Sequence, residues 1–193
     1  FRRVLFRSPR LIYAQPTFQN PTSRVTSEAR RREILALAQR YRCLIVEDDW
    51  AGDLRFEGED LPSLHALDGG GQVIYLSTFS KIVAPGFRVG WMIGPPDVMS
   101  WVTRAKQAAD LHTATFAQLL LANVVDRPGW LDEQKARIVP MYRDRCHALA
   151  DALESAFGDR IRFHRPEGGM FLWTEFDDVP DTKVLLQHAV EAG

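Results

Sequence analysis

The sequence predicts an α/β fold, and three observations support this prediction. Two apolar runs, CLIVED (43–48) and VIYLS (73–77), end in acidic or polar residues. Continuous apolar runs of this length are typical of parallel strands that are covered on both faces. A helical pattern lies between the first run and an earlier apolar segment, so strands and helices alternate along the chain.

The elements of the first half follow in order. Residues 11–18 (LIYAQPTF) predict a short strand that runs into a loop rich in Asn, Pro, Ser and Thr. Ser27 is placed to cap the next helix, in which apolar residues recur at spacings of three and four. Residues 87–94 (FRVGWMIG) predict a further strand after the two apolar runs.

Two prolines, at positions 95 and 96, mark a change from strand-like to helical patterns. Asp97 is placed to cap a long helix. We expect this helix to reach toward Val125, because the residues RPGW (127–130) break the pattern.

The last third of the chain predicts a small α+β unit. A second long helix is expected over about Leu131–Phe157, bent or interrupted at Pro140. The strand-like segment RIRFH (160–164), the turn RPEGG (165–169) and the strand-like segment MFLWTEF (170–176) follow it.

We divide the chain into four segments, with a domain boundary between Pro96 and Trp130. Residues 1–8 match the in-frame translation of a common sequencing adapter, and our hypothesis is that they are an adapter-derived artefact. We expect residues 9–96 to belong to a large domain, 97–129 to form an interdomain helix, and 130–193 to belong to a smaller domain.

Composition excludes several classes of function. The 193 residues carry a net charge of −1, which gives no case for a nucleic-acid-binding patch, and no apolar run is long enough to span a membrane. The two cysteines, Cys43 and Cys146, are too far apart in sequence for a disulfide framework or metal motif. The consecutive acids at 47–49 point to opposite faces of a strand, which argues against a metal site. We expect a reduced, cytoplasmic protein.

Several reactive side chains follow the two apolar strands. Asp48 lies at the end of the first strand, and Thr78, Ser80 and Lys81 lie at or just past the end of the second. In open α/β sheets, ligands bind outside the carboxyl ends of the strands, so these groups are predicted to share one crevice. Arg88, seven residues after the lysine, adds a planar guanidinium that suits phosphate.

These groups, together with the amide of Asn20, match the needs of pyridoxal 5′-phosphate (PLP). The Lys81 amine would form a Schiff base with the cofactor aldehyde. Arg88 and the two hydroxyls would hold the phosphate. Asp48 would keep the pyridine nitrogen protonated, so that the ring accepts electrons from the substrate Cα. The Lys81 amine, once displaced by an incoming amino acid, would move a proton between the substrate Cα and the cofactor carbon.

Four motifs resemble a known family: QPTFQNPTS (15–23), LIVEDDWAGDLRFEG (44–58), VIYLSTFSKIVAPGFRVGW (73–91) and RPEGGMFLW (165–173). The chain resembles the aspartate aminotransferase superfamily (PLP fold type I) in its class I/II branch. It is closest in style to 2-aminoadipate and aromatic-amino-acid aminotransferases. The resemblance implies a mixed, mainly parallel sheet with helices on both faces. It further implies that 9–96 is the C-terminal part of the large domain and 130–193 the N-terminal part of the smaller domain.

The resemblance also implies roles for single residues. Lys81 would be the Schiff-base lysine and Asp48 the partner of the pyridine nitrogen. Asn20 would contact the cofactor 3-hydroxyl, and the phosphate ligands would be Arg88, Thr78 and Ser80. The implied reaction is transamination between an amino acid and a 2-oxo acid, in a homodimer.

The chain departs from the family pattern at three places. Trp50 and Ala51 stand where many relatives have a tyrosine; the Trp50 indole either donates to the cofactor 3-hydroxyl or packs against the sheet. Ser23 replaces a turn glycine. The phosphate-binding glycine loop, the aromatic that stacks on the ring and the arginine for the substrate carboxylate are expected outside this sequence. We therefore expect no turnover by this chain alone.

Two alternatives keep the same residues. The segment could be the aminotransferase-like effector domain of a winged-helix transcription regulator, in which PLP is sensed and not used. It could also belong to a PLP-dependent lyase or synthase of the same fold, because Lys81 and Asp48 would serve those reactions equally well.

Overall fold

The central element of the computed structural model, which describes residues 9–69, 71–179 and 181–192, is a four-stranded sheet. Its order is β1-β2-β3-β4, formed by Leu11–Ala14, Leu44–Asp48, Val73–Thr78 and Gly90–Ile93. The first three strands are parallel and β4 is antiparallel to β3. The predicted α/β class with a mixed, mainly parallel sheet is confirmed.

Two helices cover one face of this sheet. Helix α1 spans Glu28–Tyr41, and the predicted cap is confirmed because the Ser27 hydroxyl accepts the Arg30 amide at 3.4 Å. Helix α2 spans Leu64–Asp68. The core between helices and sheet contains Leu35, Ala38, Ile45, Leu64 and Val73, all buried. On the opposite face of the sheet, Leu11 and Tyr13 remain exposed among the described residues.

The helical region after Pro95 differs from the prediction. The prediction of a single helix that reaches toward Val125 is wrong, because two helices are present: α3 spans Pro96–Asp110 and α4 spans Thr115–Val125. Leu111 has a φ of 63°, which ends α3, and its N–H bonds back to Gln107 at 3.3 Å. Asp97 lies in the first turn and does not cap the helix. A leucine with a positive φ has no signature in the sequence pattern.

The predicted α+β unit is present. Helix α5 runs over Trp130–Phe157 and continues through Pro140, which removes one backbone donor from its early part. Strands β5 and β6, Ile161–Phe163 and Thr174–Phe176, pair in antiparallel fashion. Helix α6 spans Thr182–Ala192.

A second core joins α5 to the loops at the strand ends. Phe18, Ala51, Leu54 and Ile82 are buried there, and α5 contributes partly buried apolar residues that pack against them, namely Leu131, Ile138 and Tyr142. Gly168 fits only without a side chain, since a Cβ would lie 2.1 Å from Cζ of Phe18. The loops of the large sheet are therefore supported by the C-terminal unit.

None of the helices within the described ranges is both long and apolar enough to cross a membrane. Residues 1–8, interpreted above as adapter-derived, lie outside the described residues.

Candidate functional site

The carboxyl ends of β2 and β3 bring most of the predicted site residues to one edge of the sheet. Asp48 ends β2, and Thr78 ends the adjacent parallel strand β3. Ser80 and Lys81 follow in the turn after β3. The sequence predicted that these four residues share one crevice, and the parallel pairing of β2 with β3 brings them to the same edge of the sheet.

Asp48 is held by two donors from β1 and the residue just after it. The Tyr13 hydroxyl donates to Oδ2, and the Gln15 amide donates to the same oxygen at 2.9 Å. Burial, together with the hydrogen bond to the charged Asp48, raises the pKa of Tyr13 to about 12. The tyrosine therefore stays protonated at neutral pH and serves as a hydrogen-bond donor to Asp48.

Gln15 also contacts the loop that carries Asn20. Its amide nitrogen lies 2.8 Å from the Tyr13 hydroxyl, and its carbonyl oxygen accepts the Asn20 backbone N–H at 3.0 Å. The Asn20 residue is exposed, and its side-chain amide has no partner within the described ranges. Asn20 reaches Asp48 only indirectly, through this glutamine.

Lys81 lies beside Trp50, with Nζ 5.8 Å from the centroid of the indole ring. Trp50 in turn packs against Phe171, with ring centroids 5.4 Å apart. The indole Nε1 is buried and has no hydrogen-bond partner among the described residues. This geometry is compatible with both expectations for Trp50. The ring packs against other aromatic and apolar side chains, and the indole N–H has no acceptor among the described residues.

The three expected phosphate ligands divide into two groups. Thr78 and Ser80 are paired, with their hydroxyl oxygens 2.9 Å apart and the Ser80 amide donating to Thr78 Oγ1 at 3.1 Å. Arg88 has a left-handed φ of 54°, and its Nη1 donates to the carbonyl of Pro85 at 3.2 Å. Its guanidinium therefore contacts its own loop.

Arg88 also lines an open cavity of about 680 Å³ between β4 and α3. The described residues around this cavity include Ser77 and Trp91 but neither Lys81 nor Asp48. The structure thus brings Asp48, Thr78, Ser80 and Lys81 to one edge of the sheet, whereas the Arg88 guanidinium contacts Pro85 and lines the cavity beside β4.

The acids on either side of Asp48 have structural roles. Glu47 is buried on the opposite face and accepts the Leu64 and His65 amides at 2.8 and 2.9 Å, which caps α2. Asp49 accepts the Tyr75 hydroxyl, and its Oδ1 is buried without a partner in the described part of the chain. Burial raises the pKa of both carboxyls. Only Asp48 faces the candidate site.

Within the described ranges, no group of three or more His, Cys, Asp or Glu side chains is arranged to hold a metal ion.

Sequence reasoning missed Tyr13 and Gln15. Both lie in the segment LIYAQPTF (11–18), which contains β1 and the residues after it, and residues two apart in a strand point to the same face. That spacing was the available signal. The partner, Asp48, is distant in sequence, so the hydrogen bonds themselves could not be predicted.

Ser23, which replaces a turn glycine, connects the Asn20 loop to the C-terminal unit. It has a φ of 53°, and its hydroxyl donates to the carbonyl of Phe171 at 2.7 Å. Its side chain is buried. The serine therefore adds a link that glycine could not provide.

The chain is similar to known proteins over nearly its whole length. It is 42% identical over 184 residues to aromatic-amino-acid aminotransferase 1 of Thermococcus litoralis, covering 95% of this chain and 44% of that protein. It is 36% identical over 186 residues to 2-aminoadipate transaminase of Thermus thermophilus, covering 95% of this chain and 46% of that protein. The chain thus spans about half the length of the curated relatives it matches.

A solved structure has the same fold. The kynurenine aminotransferase of Pyrococcus horikoshii, solved in complex with PMP, matches with a TM-score of 0.90 and 42% identity. The match covers 95% of this chain and 45% of that one. The family model for aminotransferase class I and II matches residues 12–191. The chain therefore belongs to the class I and II aminotransferase family.

Proposed function

We propose that the whole protein is a PLP-dependent aminotransferase that moves an amino group between an amino acid and a 2-oxo acid. The observation that supports this most directly is the edge where β2 and β3 end. There a carboxylate, two hydroxyls and a lysine amine follow two neighbouring parallel strands, in a chain of the aminotransferase family.

The chemistry of the donor set fits PLP. A primary amine, a carboxylate, paired hydroxyls and an amide are available for the aldehyde, ring nitrogen, phosphate and 3-hydroxyl of the cofactor. The buried Nε1 of Trp50, which lacks a partner among the described residues, leaves one further donor beside Lys81. PLP, when bound, supplies an electron sink for the bonds at the substrate Cα.

The residues of this chain then have distinct tasks. Lys81 is the covalent attachment point and, once released, moves a proton from the substrate Cα. Asp48, whose Oδ2 accepts hydrogen bonds from Tyr13 and Gln15, would hold a proton on the ring nitrogen. Thr78 and Ser80 bind phosphate oxygens, and Arg88 joins them by releasing Pro85.

Asn20 and Trp50 are proposed to contact the cofactor 3-hydroxyl. Asn20 is exposed with a free side-chain amide in the described ranges, and Trp50 offers its indole N–H. In this proposal the Trp50 donor takes the place of the tyrosine found in many relatives.

We also propose a homodimeric, cytoplasmic protein. Apolar side chains of α3 and α4 are exposed in this chain, among them Trp101 (69%) and Phe116 (75%), and a second copy would cover such a surface. Light scattering that returns a monomer mass for the full-length protein would contradict the dimer. Cys43 and Cys146 are free thiols, as expected in a reducing compartment, and cell fractionation tests this location.

The experiment uses the full-length protein that contains this chain. Lys81→Ala should abolish the visible absorption band of bound PLP and reduce transamination by at least about 10³-fold, because the covalent attachment is lost. The matched control is Lys183→Ala, in the exposed helix α6, which should retain both band and rate.

The outcomes separate the alternatives. A Lys81→Ala protein with an unchanged band and rate would refute the role of Lys81. A wild-type protein that shows the band but has no turnover with any amino acid and 2-oxo acid pair would favour the effector domain of a regulator. Release of ammonia or loss of a side chain without amino transfer would favour a lyase.

A further inference from the structure

Gln15 connects the two proposed cofactor residues that come from different parts of the chain. Its amide nitrogen donates to Asp48 Oδ2 at 2.9 Å, and its carbonyl oxygen accepts the Asn20 N–H at 3.0 Å. Asp48 ends β2, whereas Asn20 lies in the loop after β1. One side chain therefore links a strand end to a loop.

The hydrogen bonds on Asp48 are one-sided. Tyr13 and Gln15 both donate to Oδ2, and no donor reaches Oδ1 among the described residues. Two donors on one oxygen fix the rotation of the carboxylate about its Cβ–Cγ bond. Oδ1 is thereby left to accept a hydrogen bond from another group.

A glutamine suits this position because it needs an acceptor and a donor on the same group. The Asn20 N–H fixes the carbonyl side of the amide, so the NH₂ side must face Asp48. A glutamate would retain the acceptor for Asn20 and would place negative charge against Asp48. A leucine would retain the volume and lose all three side-chain hydrogen bonds of Gln15, to Tyr13, Asp48 and Asn20.

We propose that Gln15 is a positioning residue that aligns the Asp48 carboxylate and the Asn20 loop toward the same cofactor ring. This inference rests on the proposed function, because it assumes that Asp48 and Asn20 contact PLP. It assigns Gln15 no contact with substrate or reacting atoms; its effect passes through the two residues that it holds.

The first test is a PLP titration of the full-length apoprotein. Gln15→Leu should weaken PLP affinity by about tenfold, the typical effect of losing one hydrogen bond to a charged group. Gln15→Glu, which keeps the shape, should weaken it by at least as much. The matched control is Gln72→Leu: Gln72 donates to the Cys43 carbonyl at 3.3 Å at the other end of the sheet, and its loss should leave PLP affinity unchanged.

The second test distinguishes positioning from general destabilisation. With PLP labelled with ¹⁵N at the ring nitrogen, the ¹⁵N chemical shift should move in Gln15→Leu and stay at the wild-type value in Gln72→Leu. Gln15→Leu combined with Asn20→Ala should weaken PLP binding by less than the product of the two single effects, since part of the Gln15→Leu effect passes through Asn20.

Three results would overturn the inference: equal PLP affinity for both leucine variants, an unmoved ¹⁵N shift in Gln15→Leu, or additive losses in the double variant. Failure of the proposed function has a different signature. In that event wild-type protein shows no PLP absorption band that depends on Lys81, whereas failure of the Gln15 inference alone leaves that band intact.

Discussion

Arg31 is a buried cation that holds both ends of the loop carrying Asn20, and its removal should destabilise the protein strongly. Only 1% of the residue is exposed. The guanidinium donates to the carbonyls of Thr26, Pro62 and Pro16 at 2.9, 3.0 and 3.2 Å. It also donates to the Thr17 hydroxyl at 2.9 Å.

The expected magnitude follows from what Arg31→Met would leave behind. Pro16 O would still accept the Thr26 amide at 2.7 Å, and Pro62 is exposed enough for water to replace the donor. Thr26 is half-buried, and its carbonyl oxygen would be left without a donor, which lowers the free energy of unfolding by about 1–3 kcal/mol. The lost charge-assisted bonds add to this cost.

Two further effects oppose each other. Burial lowers the pKa of Arg31, so removing the buried charge recovers part of its desolvation cost. Arg31 is also a nearby positive charge for buried Glu47, whose pKa would rise further without it. Taken together, we expect the free energy of unfolding to fall by about 3 kcal/mol.

The assay is urea unfolding of the full-length apoprotein, read from the shift in midpoint at constant slope. The matched control is Arg32→Met. Arg32 is the exposed neighbour, which pairs with Glu28 at 2.6 Å, and its loss should cost less than about 0.5 kcal/mol. A difference below about 1 kcal/mol between the two variants would show that the buried network contributes little.

Two other predictions concern packing and pH. Gly168→Ala should lower the free energy of unfolding by at least about 3 kcal/mol, because the new Cβ would lie 2.1 Å from Phe18 Cζ and 2.6 Å from the Leu54 carbonyl oxygen. Calorimetry checks this, with Gly86→Ala as the matched control. Asp49→Asn should gain stability relative to wild type as pH rises from about 4 to about 8, since burial raises the Asp49 pKa and its ionisation destabilises the folded state. Urea midpoints across this range check it.

Both predictions have a clear contrary result. Among the described residues, no atom beyond the immediate chain neighbours is found within 4 Å of a Cβ at Gly86, so Gly86→Ala should stay within about 1 kcal/mol of wild type. Equal losses for the two alanine variants would contradict the packing argument. For Asp49, the sign is decisive: an acid with a raised folded pKa favours folding at low pH and loses this contribution as pH rises through that value. If the stability of Asp49→Asn relative to wild type stays constant or falls as pH rises, the prediction is contradicted.

The sequence alone determined the fold class, the succession of strands and helices along the first half of the chain, and the edge that carries Asp48, Thr78, Ser80 and Lys81. These features depend on local patterns: apolar runs, helix periodicity and the polar residues that end each strand. The family motifs also lie in short continuous segments. The serine cap of α1 could be predicted for the same reason, since a cap involves residues three apart.

Tertiary structure alone decided how the site is supported. Gln15, Tyr13 and Asp48 meet because β1 and β2 pair in one register, and pairing between distant segments leaves no local pattern. The break at Leu111 is likewise a single backbone angle and not a change in periodicity. The reactive groups were visible in the sequence because chemistry selects residue types; their orientation depends on long-range contacts, which only the folded chain creates.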